Sequence, residues 1–206
     1  MIINKYECKS CGMCCKKAPC DFIPDDLPKI LKKYEMDFKE FFKRYLIILP
    51  TVSKSKADII LRLVPVMKKE GKRLDYYFVN QEYMNEISNE AECIFLEDNK
   101  CTVHDTKPLG GRIMICPKMA EGLSFQLTHE QYFVFWYNNQ HIFYELSPEL
   151  ETLLKEARKL YEQANQYFTI AYQQGRNGSE DLMYKRCRQK ADNIINNDIR
   201  KIVNVL

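Results

Sequence analysis

Between residues 27 and 49, hydrophobic positions recur at the spacing of an amphipathic helix. Asp25 or Asp26 can cap this helix, Pro28 falls in its first turn, and Pro50 marks its end. The apolar and aromatic positions are Leu27, Ile30, Leu31, Tyr34, Phe38, Phe41, Phe42 and Tyr45. The aromatic stripe therefore predicts a helix face turned toward a core rather than a set of ligands.

Further along, the pattern changes to that of strands. Residues 59–64 and 76–79 predict strands, and the basic residues 68–73 between them predict a solvated turn, with a polyanion site as the alternative. Residues 81–90 are polar and leave their structure open. Residues 93–104 predict a strand–turn–strand hairpin, which would bring Cys93 and Cys101 close together across its ladder.

The last sixty residues predict an antiparallel helical hairpin. Its first helix begins at Ser147 and Pro148, residues 175–178 end it, and Ser179 starts the second. A further helix, capped by Thr128, precedes this pair and carries the aromatic positions Tyr132, Phe135, Trp136 and Phe143. The first helix of the pair presents Leu150, Leu153, Leu154, Ala157, Leu160, Tyr161, Ala164, Tyr167, Phe168 and Ala171. The second presents Leu182, Cys187, Ala191, Ile194, Ile195, Ile199, Ile202 and Val203, in which we interpret Cys187 as a small buried hydrophobe.

Composition narrows the class of protein. In 206 residues, 46% hydrophobic and 29% charged residues are typical of a globular chain, and a net charge of +3 gives no argument for nucleic acid or a membrane. No apolar run has the length of a transmembrane helix, and the first residues lack the pattern of a signal peptide. We therefore expect a cytoplasmic protein, in which clustered cysteines indicate metal or redox chemistry rather than disulfides.

The predicted fold class is α+β. Residues 1–126 would form a small Cys-rich metal-binding domain with short strands. Residues 127–206 would form a C-terminal helical region packed on it, ending in the antiparallel hairpin.

Five of the nine cysteines fall between residues 8 and 20, which makes this segment the centre of the predicted chemistry. A C-x2-C spacing lets two thiolates converge on one cation, and Gly12 suits the turn that this requires. Cys14 and Cys15 are adjacent, and adjacent side chains point in different directions. These two cysteines would therefore not serve one centre in the same way. The five are Cys8, Cys11, Cys14, Cys15 and Cys20.

A second group of donors follows the predicted strands. Cys101-x2-His104 has the same spacing as C-x2-C, with an imidazole as the second donor. Cys116 precedes a proline. The full candidate set is Cys8, Cys11, Cys14, Cys15, Cys20, Cys93, Cys101, His104 and Cys116. This set exceeds the four ligands of one zinc site, so either more than one centre forms or some thiols serve another role. Ligand type leaves zinc, iron and an iron–sulfur cluster open.

Cys8-x2-Cys11-Gly12-x-Cys14-Cys15, the later Cys20, Cys93-x-Phe95-Leu96, Cys101-x2-His104 and Lys107-Pro108-Leu109 together resemble the YkgJ-like cysteine-cluster family over roughly residues 5–120. That family is described as zinc- or iron-chelating, so the resemblance implies that these cysteines bind metal together. The flagellin lysine-N-methylase is a relative with the same type of cluster. It looks like an enzyme that depends on an iron–sulfur centre and S-adenosylmethionine.

The chain departs from the family pattern at one position. Family members carry a cysteine before an arginine where this sequence has Gly111-Arg112. One ligand is therefore missing, and Cys116 is either the second cysteine that some members have just downstream or a replacement for it. The loss otherwise leaves an open coordination position or a place for His104.

Three functions follow as hypotheses. The first is a metal-binding protein whose cluster ties the N-terminal segment to the central one. The alternative is an iron–sulfur-dependent enzyme that modifies a protein or peptide. The third is a module whose C-terminal hairpin, residues 148–206, binds a protein partner. A hydrolase has no support, because His129 and His141 lie in a predicted helix without a nucleophile pattern.

Overall fold

The computed structural model of the chain describes residues 15–16, 21–53, 58–87, 91–109 and 129–206. The fold is α+β, with small antiparallel sheets and a C-terminal helical hairpin, as predicted. The chain divides into two compact units, Met1–Leu49 with Arg62–Phe135 and Pro50–Leu61 with Trp136–Leu206. The predicted boundary between residues 126 and 127 lies outside the described residues and stays a prediction.

The aromatic stripe forms two helices rather than the single one predicted. Helix α1 is Leu27–Tyr34 and helix α2 is Phe38–Tyr45. Glu35 ends α1 with a left-handed backbone (φ 53°), which a continuing helix does not adopt. Asp37 then begins α2, because its side chain accepts the N–H of Glu40 at 2.8 Å.

Strand β1, Leu46–Val52, occupies residues that the sequence pattern assigns to the end of the helix. The run Leu46, Ile47 and Ile48 is fully buried, and a continuous apolar run is as typical of a buried strand as of a helix segment. Strand β2, Ile59–Pro65, pairs with β1 and confirms the strand predicted at residues 59–64.

The strand predicted at residues 76–79 does not form. The segment makes one isolated parallel bridge, Ile48 with Phe78, supported by bonds from the Ile48 N–H to the Tyr77 carbonyl (2.9 Å) and from the Val79 N–H to the Ile48 carbonyl (2.8 Å). The backbone of this segment is therefore bonded to β1 at Ile48 but forms no ladder of its own.

The basic segment is a hairpin of strands β3, Met67–Lys69, and β4, Lys72–Arg73. The predicted solvated turn is confined to its tip, where Glu70 and Gly71 both have positive φ. The Lys68 ammonium donates to the Leu96 carbonyl, and the half-buried Arg73 guanidinium donates to the carbonyls of residues 74 and 76. Both cations thus stabilise the fold.

The hairpin predicted over residues 93–104 has a different register. Strand β5, Glu92–Cys93, pairs with β3, so that Cys93 faces Met67. Strands β6, Leu96–Glu97, and β7, Lys100–Cys101, form the hairpin, in which Cys101 faces Leu96. Cys93 and Cys101 therefore belong to different ladders and are not cross-strand partners.

In the polar segment whose structure the sequence leaves open, residues Gln81–Glu86 form helix α3, which places Tyr83 in the core. Burial raises the pKa of Tyr83 to about 12, an effect to which the Cys93 thiol adds and which Arg73 opposes. The folded state therefore holds this proton more tightly than the unfolded state, whose tyrosines titrate near pH 10.

This difference predicts how stability changes in base. The stabilisation that the protonated Tyr83 gives the folded state is fully present below pH 10 and is lost as pH rises toward 12. At pH 11 we expect the free energy of unfolding to have fallen by about 1.4 kcal/mol from this group. Urea unfolding of the wild type and of Tyr83→Phe at pH 9 and pH 11 measures it. We expect the wild type to lose more stability than the variant, and equal losses would contradict the prediction.

The helical segment before the hairpin is divided in two. Helix α4, His129–Tyr137, and helix α5, His141–Tyr144, flank Gln140, whose amide nitrogen donates to the carbonyls of Leu61 and Trp136 (2.9 Å each). The Leu61 N–H in turn donates to the Gln140 Oε1 at 2.7 Å. The Gln140 side chain thus satisfies both backbone groups of one strand residue. The predicted cap Thr128 lies outside the described residues.

The C-terminal hairpin consists of helix α6, Glu149–Gln173, and helix α7, Leu182–Asn193, which continues through a π-helical stretch, Ile194–Ile199, into helix α8, Arg200–Asn204. Most of the predicted inner positions are buried, among them Cys187. Leu182 and Phe168 are exceptions, exposed by 61% and 38%. Leu182 is the first residue of its helix, and Phe168 packs on the connecting turn, where Gly178 leaves no room for a Cβ. Among the described helices, none is both long enough and apolar enough to cross a membrane.

Candidate metal centre

The described residues contain part of the predicted ligand set. They include Cys15, Cys93, Cys101 and His104, whereas Cys8, Cys11, Cys14, Cys20 and Cys116 lie outside them. Within the described part of the chain, no three or more Cys, His, Asp or Glu side chains form a group that could hold a metal ion. The described residues show where four of the nine predicted ligands lie and which contacts hold the segment that carries Cys93, Cys101 and His104.

The four described donors differ in exposure. Cys15 is buried in a short piece of helical backbone, and Cys93 is a buried free thiol on β5. Cys101 is partly buried on β7, and His104 is exposed. The His104 N–H donates to the Cys101 carbonyl at 3.1 Å, so the x2 spacing closes into the tight turn that a bracket of two ligands requires.

Phe95 seats the segment between Cys93 and Cys101 on the aromatic helices. Its side chain is only 2% exposed. Its ring centroid lies within aromatic contact distance of four others: Phe22 at 6.2 Å, Tyr34 at 6.2 Å, Phe41 at 6.2 Å and Tyr45 at 5.4 Å. Residues from the segment after Cys20, from α1 and from α2 thus meet around one ring of the central segment.

The C-terminal end of α1 holds the turn that contains Cys101 and His104. The Lys33 ammonium donates to the Thr102 carbonyl at 2.8 Å and pairs with the Asp105 carboxylate. The hydrogen bond from Lys33 lowers the pKa of Asp105, and burial raises the pKa of Tyr34, whose hydroxyl lies 3.5 Å from the Thr102 Oγ1. The turn is therefore bonded to α1 through both its backbone and its side chains.

At the opposite end of α1, the buried carboxylate of Asp26 joins two segments of the chain. Its Oδ2 accepts the N–H of Ile23 at 3.0 Å and the N–H of Leu109 at 3.0 Å. Ile23 follows the N-terminal cysteine segment, and Leu109 precedes the segment that leads to Cys116. One oxygen atom thus links the two parts of the chain that carry the predicted ligands.

A second contact, the ion pair of Asp21 with Arg62, holds the chain directly after Cys20. The Asp21 carboxylate pairs with the Arg62 guanidinium at 2.8 Å, and Arg62 lies on β2 with only 2% of its side chain exposed. Its guanidinium also lies 4.9 Å from the centre of the Tyr132 ring. The Phe22 N–H donates to the Leu63 carbonyl at 3.3 Å, so the backbone after Cys20 is bonded to β2.

The sequence alone does not reveal that Asp26, Arg62 and Phe95 hold the ligand-bearing segments. It indicates Asp26 only as a helix cap and Arg62 only as one residue of an apolar strand. A charged residue within a fully buried strand is nevertheless a usable signal, because an arginine is rarely buried unless it is paired. In the sequence, Phe95 stands only as part of a motif, and its position there indicates no physical role.

Comparison with known proteins agrees with the cysteine pattern. A family model described as "CxxCxxCC: Putative zinc- or iron-chelating domain" matches residues 7–132, which is more than half of the 206-residue chain. The matched range includes every predicted ligand and ends before the C-terminal hairpin. No curated protein and no solved structure matches the chain.

Proposed function

This chain belongs to the CxxCxxCC family, and from that membership we propose that it is a cytoplasmic metal-binding protein. In this proposal zinc or iron is held by the N-terminal thiolates together with donors of the central segment. The proposed ligands are Cys8, Cys11, Cys14, Cys15, Cys20, Cys93, Cys101, His104 and Cys116. The family match across both groups of donors is the observation that carries the proposal.

The chemistry of the described donors fits such a metal. Thiolate and imidazole are the ligands that zinc and iron prefer among protein side chains. The closed turn between Cys101 and His104 suits a two-ligand bracket, and the exposure of His104 lets solvent metal reach it. When bound, the metal would supply a cross-link between distant segments. The chain's own contribution is to hold those segments in register through Phe95, Asp26 and Arg62.

The alternative is an iron–sulfur-dependent enzyme that modifies a protein or peptide. What favours it is the surplus of donors, since nine candidates exceed the needs of one tetrahedral site. A protein or peptide bound through the C-terminal helices would then be its substrate or its partner.

The first experiment is metal analysis with an absorption spectrum on protein purified without air. Stoichiometric zinc in a colourless protein supports a metal-binding role without redox chemistry. Iron with acid-labile sulfide in a brown protein supports the enzyme alternative. Protein that carries neither metal, and that takes up neither on addition, contradicts both.

Metal removal should then lower the free energy of unfolding, because metal binds the folded state more tightly than the unfolded state, in which no preformed site exists. With free zinc at a hundred times its dissociation constant, we expect the metal-free protein to be about 2.7 kcal/mol less stable. Urea unfolding with zinc and with a chelator measures this difference.

The chain provides a matched control for the same experiment. Cys101→Ser should reduce the bound metal, whereas Cys187→Ser should leave it unchanged, because Cys187 is buried on α7 in the other compact unit. An unfolding transition that is the same with zinc and with chelator would count against the proposal.

A further inference from the structure

We infer that Asp26 is a positioning residue for the proposed metal centre, one that sets the separation of the two ligand-bearing segments without itself binding the metal. This inference rests on the proposed function and adds a residue outside the predicted ligand set. The juxtaposition that carries it is a single buried oxygen that accepts the N–H of Ile23, which follows the N-terminal cysteines, and the N–H of Leu109, which follows the central donors.

The side chain of Asp26 is bonded to two segments of the chain that are far apart in sequence. Its own N–H donates to the Ile23 carbonyl at 3.0 Å while its Oδ2 accepts the Ile23 N–H, so the turn after the N-terminal cysteines is closed in both directions. The same Oδ2 accepts from Leu109, a residue 83 positions away, at 3.0 Å. Moving this oxygen must therefore move one segment relative to the other.

Helix α1 makes this connection rigid. Its first residue follows Asp26, and its Lys33 and Tyr34 contact the turn that contains Cys101 and His104. Eight helical residues span about 12 Å, and the central segment is bonded to both ends of that span. The helix therefore connects the chain after Cys20 to residues 101–109 at both of its ends.

Groups that orient metal ligands from outside the ligand set contribute to affinity through position, and losing one typically weakens binding by 10–100-fold. Asp26 is bonded to the backbone rather than to a ligand side chain, so we expect an effect near the lower limit. The position of the oxygen should matter more than its charge.

Two substitutions separate position from charge. Asp26→Asn keeps an acceptor oxygen in place and removes the charge, whereas Asp26→Glu keeps the charge and moves the oxygen by one methylene in a buried site. We expect zinc affinity within about threefold of wild type for Asp26→Asn and a loss of about tenfold or more for Asp26→Glu. The exposed neighbour provides the controls, Asp25→Asn and Asp25→Glu, which should both bind as wild type does.

Zinc affinity is measured by competition with a chromophoric chelator, and the visible spectrum of the cobalt-loaded protein reports ligand geometry independently. The reverse order, with Asp26→Glu binding normally and Asp26→Asn weakened, overturns the inference in favour of a ligand or charge role. Wild-type affinity in both variants overturns it as well, even where urea unfolding of the metal-free protein shows a loss of stability.

If Asp26→Glu shows no cooperative unfolding, Leu109→Pro replaces it, since this change removes the donor and leaves Asp26 intact. Leu109 has helical backbone and follows Pro108, and proline is tolerated at the first position of a helix. The same tenfold loss is expected, and wild-type affinity in this variant overturns the inference. A wild-type protein that binds neither zinc nor iron overturns the proposed function together with it, whereas equal affinities in wild type and variants overturn this inference alone.

Discussion

Replacing Phe95 with alanine is expected to lower the free energy of unfolding by about 3–5 kcal/mol, the range for truncating a fully buried aromatic side chain. The ring is 2% exposed and contacts four other aromatic rings, two of them nearly parallel to it: Phe41 at an interplanar angle of 17° and Tyr45 at 20°. Alanine would leave a cavity between α1, α2 and the central segment, which cannot all move inward together.

Urea unfolding of the metal-free protein tests this prediction without any contribution from metal. Tyr172→Ala is the matched control, because Tyr172 is an aromatic residue with 73% of its side chain exposed, and its loss should change stability by no more than about 0.5 kcal/mol. Phe95→Leu should fall between the two. A loss below about 1 kcal/mol for Phe95→Ala would mean that the ring is not a structural anchor.

Elements with a strong local period are predictable from the sequence. The inner face of α6, including Leu150 and Tyr161, repeats at helical spacing over many turns, and β2 is a run of β-branched and aliphatic residues. The prediction for residues 46–49 is wrong, because their apolar run continues the helical period of α2 while the backbone has already become a strand. In a short apolar stretch, periodicity alone does not separate the two structures.

The contacts that assemble the candidate site could not be predicted in the same way. Cys93 pairs with Met67 instead of Cys101 because β3 offers an open edge, and nothing local to residues 93–101 encodes that edge. Asp26 and Leu109 are separated by 83 positions, so neither residue reveals the other. Donor type and spacing suffice to nominate ligands, whereas the residues that hold them depend on tertiary pairing.

Replacing Arg62 with alanine is expected to destabilise the fold by about 3–5 kcal/mol, the effect of breaking a buried ion pair from one side. Arg62 is almost completely inaccessible, and burial lowers the pKa of its guanidinium while Asp21 opposes that change. Its removal takes away the guanidinium that lies 2.8 Å from the Asp21 carboxylate, whose side chain is 21% exposed. The Tyr132 ring loses the same cation.

The contribution of the Asp21–Arg62 ion pair to stability can be measured separately from that of the arginine side-chain volume. Arg62→Met keeps most of the volume and removes the charge, so it separates the loss of the ion pair from the loss of packing. Adding Asp21→Asn to Arg62→Met should recover at least half of the lost stability, because a buried pair replaced as a whole is often nearly neutral. If the two substitutions are additive in a double-mutant cycle, the contact contributes no coupling energy and the prediction is wrong.

The location of Asp21 extends the prediction to metal binding. Asp21 follows Cys20 directly, and the Phe22 backbone is bonded to β2, so loss of Arg62 should loosen the chain at the exit of the N-terminal cysteine segment. We expect Arg62→Met to weaken zinc binding, and the double variant to regain stability while zinc affinity stays low, since the two substituted side chains no longer form the charged anchor. Stability and affinity that recover together would show instead that Arg62 serves the fold alone. Chelator competition and urea unfolding on the same protein preparations distinguish these two outcomes.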